Sequence, residues 1–280
     1  MDELVLVSPK QIGDTLLATP AIRAHKRAHP STRITVCCPD EGGAYQVLLH
    51  NPSIDSLRAG VDASSLPGRR VVLDPEAALK LGYESIRPFA WCYGRQLGVE
   101  VDDNACDYTV TPGERDAAAG LALELGEGKP VVVVARHSPT CLSNHPAVRR
   151  ATKCLPNAYW LTCAEHLIER RYAPVAVGAR EEADDPRFRA WPGKRLYGHP
   201  LRGIAALCAQ SAGVLAIDNG IRHLAAAAGA NLYTLSGWIH LEVIACAPVR
   251  DGQRIVEDYV PIDRVTATML SSGAERLGLL

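Results

Sequence analysis

The feature that most constrains this chain is a repeated alternation of short, continuous apolar runs with segments of helical length. Glu3 to Val7 is one such run, followed by a polar turn, a helix-like stretch to about Ala28, and a second run at Ile34 to Cys38. Gly42 to His50 then reads as a helix, Arg70 to Leu73 as a strand, and Glu84 to Leu97 as a helix ended by Gly98. After an alanine-rich helical segment, Glu114 to Leu125, come the breakers Gly126-Glu127-Gly128-Lys129-Pro130. A second series begins there. It has strands at Val131 to Ala135, Pro174 to Gly178 and Gly213 to Asp218. Helices are expected at Ala158 to Arg171 with Asn157 as cap, at Leu201 to Ala209, and at Ile221 to Ala228, stopped by Gly229. Apolar strands separated by helices require a parallel sheet covered on both faces. Two such series predict an α/β chain of two Rossmann-like lobes, residues 1–126 and 127–280. Ligands are then expected at the carboxyl ends of the strands, in or near an inter-lobe cleft.

With 30 Lys and Arg against 31 Asp and Glu, the chain is close to neutral. That balance argues against a protein that coats nucleic acid or an anionic membrane, so any anion binding is local. The start, Met1 to Val7, carries two acids where a signal peptide wants cations, and no apolar run reaches a membrane-spanning length. A soluble, cytoplasmic protein without a transmembrane segment is expected. Nine cysteines in no paired spacing fit reduced, packed thiols rather than a disulfide framework.

Four strand-end segments carry side chains suited to chemistry. The turn Ser8 to Thr15 leaves the first strand and enters a helix. Gly13 would allow close backbone approach, and Asp14 is either a helix-start carboxylate or a site residue, with Lys10 and Thr15 beside it. Pro20 lies in the same stretch, so either a new helix starts after Thr19 or one helix bends there. Segment 136–153 holds Arg136, Arg149, Arg150 and Lys153, hydroxyls including Ser138, and no acid. It reads as a phosphate or pyrophosphate cradle or as a solvated basic loop. Cys141 and Cys154 with His137 and His145 fit no zinc spacing, and no metal is expected. Gly178 to Asp185 offers Glu181 or Glu182 for a ribose diol, though helix-start bias also accounts for its acids. The sharpest segment is Asp218-Asn219-Gly220-Ile221-Arg222-His223, where a buried strand runs straight into an alanine-rich helix. Its exposed helix N–H groups suit an anion, with Asp218, Asn219, Gly220 and His223 around them.

Three of these segments together carry a resemblance. Gly13-Asp14-Thr15-Leu16-Leu17-Ala18-Thr19-Pro20-Ala21 resembles the GD-x-L-x-x-TPA opening of glycosyltransferase family nine, the bacterial ADP-heptose:lipopolysaccharide heptosyltransferases. Asp218 to Ala225 is similar to that family's D-[ST]-G-x-x-H-L-A signature, with Asn219 in place of the hydroxyl residue. Lys153-Cys154-Leu155-Pro156 is similar to its K-x-W-P segment, with Leu155 in place of Trp. The resemblance implies a GT-B architecture with an acceptor-side N-terminal lobe and a nucleotide-sugar-binding C-terminal lobe. It implies glycosyl transfer, heptose favoured, with inversion and without a metal or other cofactor, the donor being a nucleotide diphosphate sugar such as ADP-heptose. The acceptor would be a hydroxyl of a carbohydrate or other molecule, lipid-linked ones among them. By the same resemblance Asp14 is the general base, Lys153 contacts the donor phosphates, Asp218 the sugar hydroxyls, and Gly220 and His223 the diphosphate. Arg136, Ser138 and Asn219 join that donor pocket, and Gly13, Lys10 and Thr15 the acceptor side. Two rival readings are a non-catalytic nucleotide-sugar binder and a NAD- or flavin-dependent oxidoreductase. The second is opposed by the lack of a G-x-G-x-x-G turn after the first strand.

Overall fold

The computed structural model describes residues 2–137, 155–184, 190–236, 241–260 and 264–280. The chain divides into two compact units, Met1–Thr109 with Glu242–Val249, and Val110–Leu241 with Arg250–Leu280.

The first unit is built on β1 (Glu3–Val7), β2 (Arg33–Cys38), β3 (Ser56–Ala59) and β4 (Arg69–Val72), all parallel, in the order β3-β2-β1-β4. Its helices are α1 (Ile12–Ala28), α2 (Gly43–Leu48), α3 (Pro75–Ser85) and α4 (Phe89–Leu97). Pro20 does not start a new helix; α1 runs through it. Pro20 has no N–H for the carbonyl of Leu16, and the Thr19 hydroxyl donates to that oxygen instead, at 2.7 Å. The same hydroxyl accepts from the backbone N–H of Asp107 at 2.8 Å. The helix expected over Glu84 to Leu97 is two helices. Ile86, left-handed at φ 49°, ends α3, and Pro88 sits just ahead of α4.

The second unit holds a six-stranded parallel sheet of β5 (Val131–Ala135), β6 (Ala173–Gly178), β7 (Lys194–Tyr197), β8 (Gly213–Ile217), β9 (Leu232–Ser236) and β10 (Ile255–Tyr259). Their order is β10-β9-β8-β5-β6-β7. Around it lie α5 (Pro112–Gly126), α6 (Asn157–Glu169), α7 (Leu201–Gln210), α8 (Gly220–Ala227), the short α9 (Leu241–Ile244) and α10 (Ala267–Leu277). Every residue of β5, β8 and β9 is buried, as strands covered on both faces must be. Trp160, Cys163 and Leu167 of α6 join Leu270 and Ala274 of α10 over Val132, Leu215 and Tyr233 of the sheet.

The expected boundary between 126 and 127 is displaced to Thr109/Val110, because α5 packs with the second unit. Thr111 and Glu114 form a capping box at its start, and Arg202 of α7 grips the Glu114 carboxylate through Nε at 2.5 Å and Nη2 at 2.8 Å. Asn157 is also displaced from its expected role as cap. It is the first residue of α6, with Pro156 preceding it. The chain then returns to the first unit at Glu242–Val249, where Val243 packs so closely on Gly82 that an added Cβ there would lie 2.9 Å from Cγ1. No described helix is long and apolar enough to cross a membrane. The described cysteines are buried, and burial pushes the Cys163 and Cys208 thiols up to about 12.

Candidate functional site

In both sheets the strand order reverses around the first strand. Topology therefore opens one crevice between β1 and β4 and another between β5 and β8, at their carboxyl ends. The turn 8–11 leaves β1 at the first of these points. Gln11 takes the N-cap position without a side-chain hydrogen bond, so Asp14 is not the cap; it lies in the first turn of α1, half-buried, where the helix dipole favours a carboxylate. Gly13 is half-buried and Lys10 exposed. Thr15 does not fit the substrate contact expected of it. Its hydroxyl is buried and donates to the carbonyls of Gln11 (2.8 Å) and Pro9 (3.1 Å), fastening the turn that carries Gly13 and Asp14.

Across the same crevice Asp74 follows β4 and caps α3, accepting from the N–H groups of Glu76 (2.9 Å) and Ala77 (3.2 Å). Gln96 of α4 clamps the Asp74 backbone on both sides, accepting from its N–H at 3.0 Å and donating to its carbonyl at 2.9 Å. One turn earlier on α4, Tyr93 is fully buried, and its hydroxyl has no hydrogen-bond partner among the described residues. Burial first, and then the charges of Asp14 and Asp74, push that phenol above its ordinary range. Asp74 and Tyr93 are functional candidates that sequence reasoning missed. An Asp-Pro helix start and a tyrosine inside an apolar helix look purely structural until the topology brings them to the strand end that carries Asp14.

At the second crevice the corner is held by Asn219. Its Nδ2 donates to the carbonyls of Ala135 (3.1 Å) and His137 (2.7 Å), and its Oδ1 accepts from the N–H of Arg222 (3.0 Å). One amide thus ties the ends of β5 and β8 together and caps α8, a span that a serine or threonine hydroxyl is too short to cover. Gly220 opens α8 and is half-exposed. Asp218 and His223 are both buried.

Between them lies Arg222, missed by the sequence reading although it sits inside the motif. It is fully buried and carries the local electrostatics. Its guanidinium pairs with Glu257 of β10 through Nε (3.0 Å) and Nη2, and Nη1 lies 3.5 Å from Asp218 Oδ1 and 3.3 Å from His223 Nε2. A guanidinium can only donate, so the last contact places the lone pair of His223 on Nε2. That nitrogen is also 3.7 Å from Asp218 Oδ1.

Arg136, expected among the phosphate ligands, is instead fully buried behind β5. It donates to Asn157 Oδ1 (2.5 Å) and the Tyr197 hydroxyl (2.9 Å), and it stacks 4.8 Å from the Trp191 ring. Arg136 therefore joins the starts of α6 and β5's loop to β7 rather than facing solvent. Of the two ribose candidates Glu181 is exposed, while Glu182 turns inward so that its carboxylate fills the space a side chain at Gly178 would need. Ser138 and Lys153, with Arg149 and Arg150, lie outside the described residues. Among the described residues no three His, Cys, Asp or Glu side chains gather closely enough to hold a metal ion.

No protein-family model and no curated protein sequence matches this chain. Solved structures do. The chain is similar to a glycosyl transferase family 9 protein from Veillonella parvula, with a TM-score of 0.75 and 17% identity over 99% of this chain and 97% of that one. It is similar to the E. coli ADP-heptose lps heptosyltransferase II at a TM-score of 0.69 and 18% identity, covering 99% of this chain and 98% of the other. The E. coli heptosyltransferase WaaC, solved with ADP, matches at a TM-score of 0.63 and 14% identity over 98% and 99%. The resemblance carried by the Gly13, Lys153 and Asp218 segments is thus matched along the length of the fold: this chain has the α/β, GT-B type fold of the family 9 glycosyltransferases and ADP-heptose heptosyltransferases.

Proposed function

We propose that this chain is an inverting glycosyltransferase that moves a sugar, heptose first among candidates, from a nucleotide diphosphate donor to a hydroxyl acceptor without a metal. The observation that carries this reading is the placement of its two motif segments. Gly13-Asp14 and Asp218-Asn219-Gly220 occupy the strand ends at the reversal points of two separate Rossmann sheets. Structures sharing the fold are described with ADP and with an ADP-heptose analogue, which favours ADP-heptose as the donor.

In this reading Asp14 takes the proton of the acceptor hydroxyl as its oxygen attacks the anomeric carbon. The bond from that carbon to the diphosphate oxygen breaks, and the diphosphate leaves with the electron pair. Attack opposite the leaving group inverts the centre. The first N–H groups of α8, at Gly220 and Ile221, and the Lys153 ammonium stabilise the charge on the leaving diphosphate. Asn219 and Arg222 act from behind, fixing the corner that presents those N–H groups.

The test is nucleotide release from ADP-heptose and other nucleotide sugars. Asp14→Asn is expected to lower turnover by about 10²- to 10⁴-fold while nucleotide affinity stays within a few-fold. Lys153→Ala is expected to weaken donor binding, and EDTA to leave the rate unchanged. Full activity of Asp14→Asn removes it as the base, and loss of activity in EDTA removes the metal-free mechanism. One observation favours a second reading, a nucleotide-sugar binder without turnover: the Asp218 carboxylate is buried against Arg222 and His223. Donor binding without nucleotide release in any acceptor would establish it.

A further inference from the structure

At the amino ends of the first unit's strands, the end away from Asp14, lies an open cavity of about 770 Å³ lined by Asp2, Glu3, His25, His29, Arg69 and Leu97, among others. The rings of His25 and His29 are 4.7 Å apart, and Arg69 Nη2 lies 3.4 Å from His25 Nε2. Three cationic or potentially cationic groups are gathered, and among the described residues no carboxylate lies within ion-pair distance of Arg69. The groups facing His25 are His29 just beyond its own helix, Arg69 from β4, and Asp2 and Glu3 from the start of β1. Burial, then His29, then Arg69 hold His25 down at about 4. Because a guanidinium only donates, the contact with Arg69 leaves the His25 proton on Nδ1. That nitrogen is buried and has no acceptor among the described residues. A guanidinium and two imidazoles at one cavity, with a buried ring donor unanswered among the described residues, form a donor set suited to an oxyanion.

We propose that this cavity is a second ligand site, separate from the strand ends that carry Asp14, and that it binds a small phosphate- or carboxylate-bearing molecule through Arg69 and the His25–His29 pair. Asp2 and Glu3 in the same lining disfavour polyanions and can accept hydrogen bonds from hydroxyl or amine groups on the same ligand. The site stands on the first unit's own residues and does not depend on the transferase reading.

The test is a histidine Cε1–Hε1 NMR titration of the full chain against pH, with inorganic phosphate or acetate and with chloride at matched ionic strength. Phosphate or acetate is expected to raise the His25 pKa from about 4 by at least about one unit, tenfold in proton affinity, and chloride to leave it in place. If phosphate alone acts, the ligand is a phosphate ester; if acetate acts equally, the site is a general oxyanion site. In Arg69→Gln, His25 should titrate higher without any ligand and no longer respond to phosphate. His29→Gln should respond more weakly than the native chain and serves if Arg69→Gln does not fold. An equal response to chloride, no response to either oxyanion, or an unchanged phosphate response in Arg69→Gln overturns the proposal.

Discussion

Arg222 shows how one side chain can set the electrostatics of a strand end. It is a fully buried cation whose charge is balanced by Glu257 from β10 and by Asp218 one helical turn away. Removing the cation alone would leave two carboxylates facing each other out of water, so Arg222→Gln is expected to cost about 3 to 5 kcal/mol in urea unfolding. A double variant that also neutralises Glu257 should recover much of that loss. Tyr93 makes the opposite case. Its hydroxyl is buried without a partner among the described residues, so Tyr93→Phe is expected to remove a desolvation cost and no hydrogen bond. Stability is expected to stay within about 0.5 kcal/mol of the native chain or to rise. A loss of more than about 1 kcal/mol would show that the phenol holds a bond the structure lacks. The sequence marked Gly13, Asp14, Asp218 and Gly220 because strand-end glycines and acids stand out locally. It could not mark Glu257 as the partner of Arg222, or Tyr93 as a neighbour of Asp14 and Asp74, because those meetings join separate elements. Thr15 and Arg136 misled for a related reason, since a hydroxyl or a cation near a turn looks the same whether it faces inward or outward.

At the scale of elements, Glu114 governs where α5 belongs. Burial works against its charge, but the hydrogen bonds from Arg202 and Thr111 hold its carboxyl down at about 2, below its ordinary value of 4.5. The stabilisation is therefore present in full above about pH 4.5 and is lost as the pH falls through about 2. Glu114→Gln is expected to cost on the order of 2 kcal/mol at neutral pH, and the difference from the native chain should shrink on acidification. A difference independent of pH would assign the effect to the capping box alone. The same element explains the displaced boundary, because the Gly126 to Pro130 breakers end α5 but do not say which side it packs on. The central strands β1, β5 and β8 were legible as short apolar runs, whereas β9, buried along its whole length, was not read, because Leu-Tyr-Thr-Leu-Ser interleaves polar residues with apolar ones. The edge strands β3 and β7, Ser-Leu-Arg-Ala and Lys-Arg-Leu-Tyr, were not, because a half-exposed edge need not be apolar. The helix break at Ile86 to Pro88 was visible in Pro88, but the run of helix formers on either side outweighed it.

For the molecule as a whole, the decisive feature is that the chain enters the first unit twice, at residues 1–109 and again at Glu242–Val249. The return places Val243, Ile244 and Cys246 as buried side chains, with Val243 against Gly82. A fragment of residues 1–109 therefore lacks part of its own core. It is expected to unfold at lower urea than the intact chain, with broader amide dispersion recovered when a peptide of residues 242–249 is supplied. Equal stability with and without that peptide would show the return to be dispensable. During synthesis the consequence is one of timing. The first unit's N-terminal strands leave the ribosome early, but its last buried residues are made only after almost the whole second unit, so a nascent chain carries an unfinished apolar surface for most of its translation. An exposed apolar surface of that kind is open to aggregation until residues 242–249 emerge to cover it, so completion of the first unit waits on the return segment.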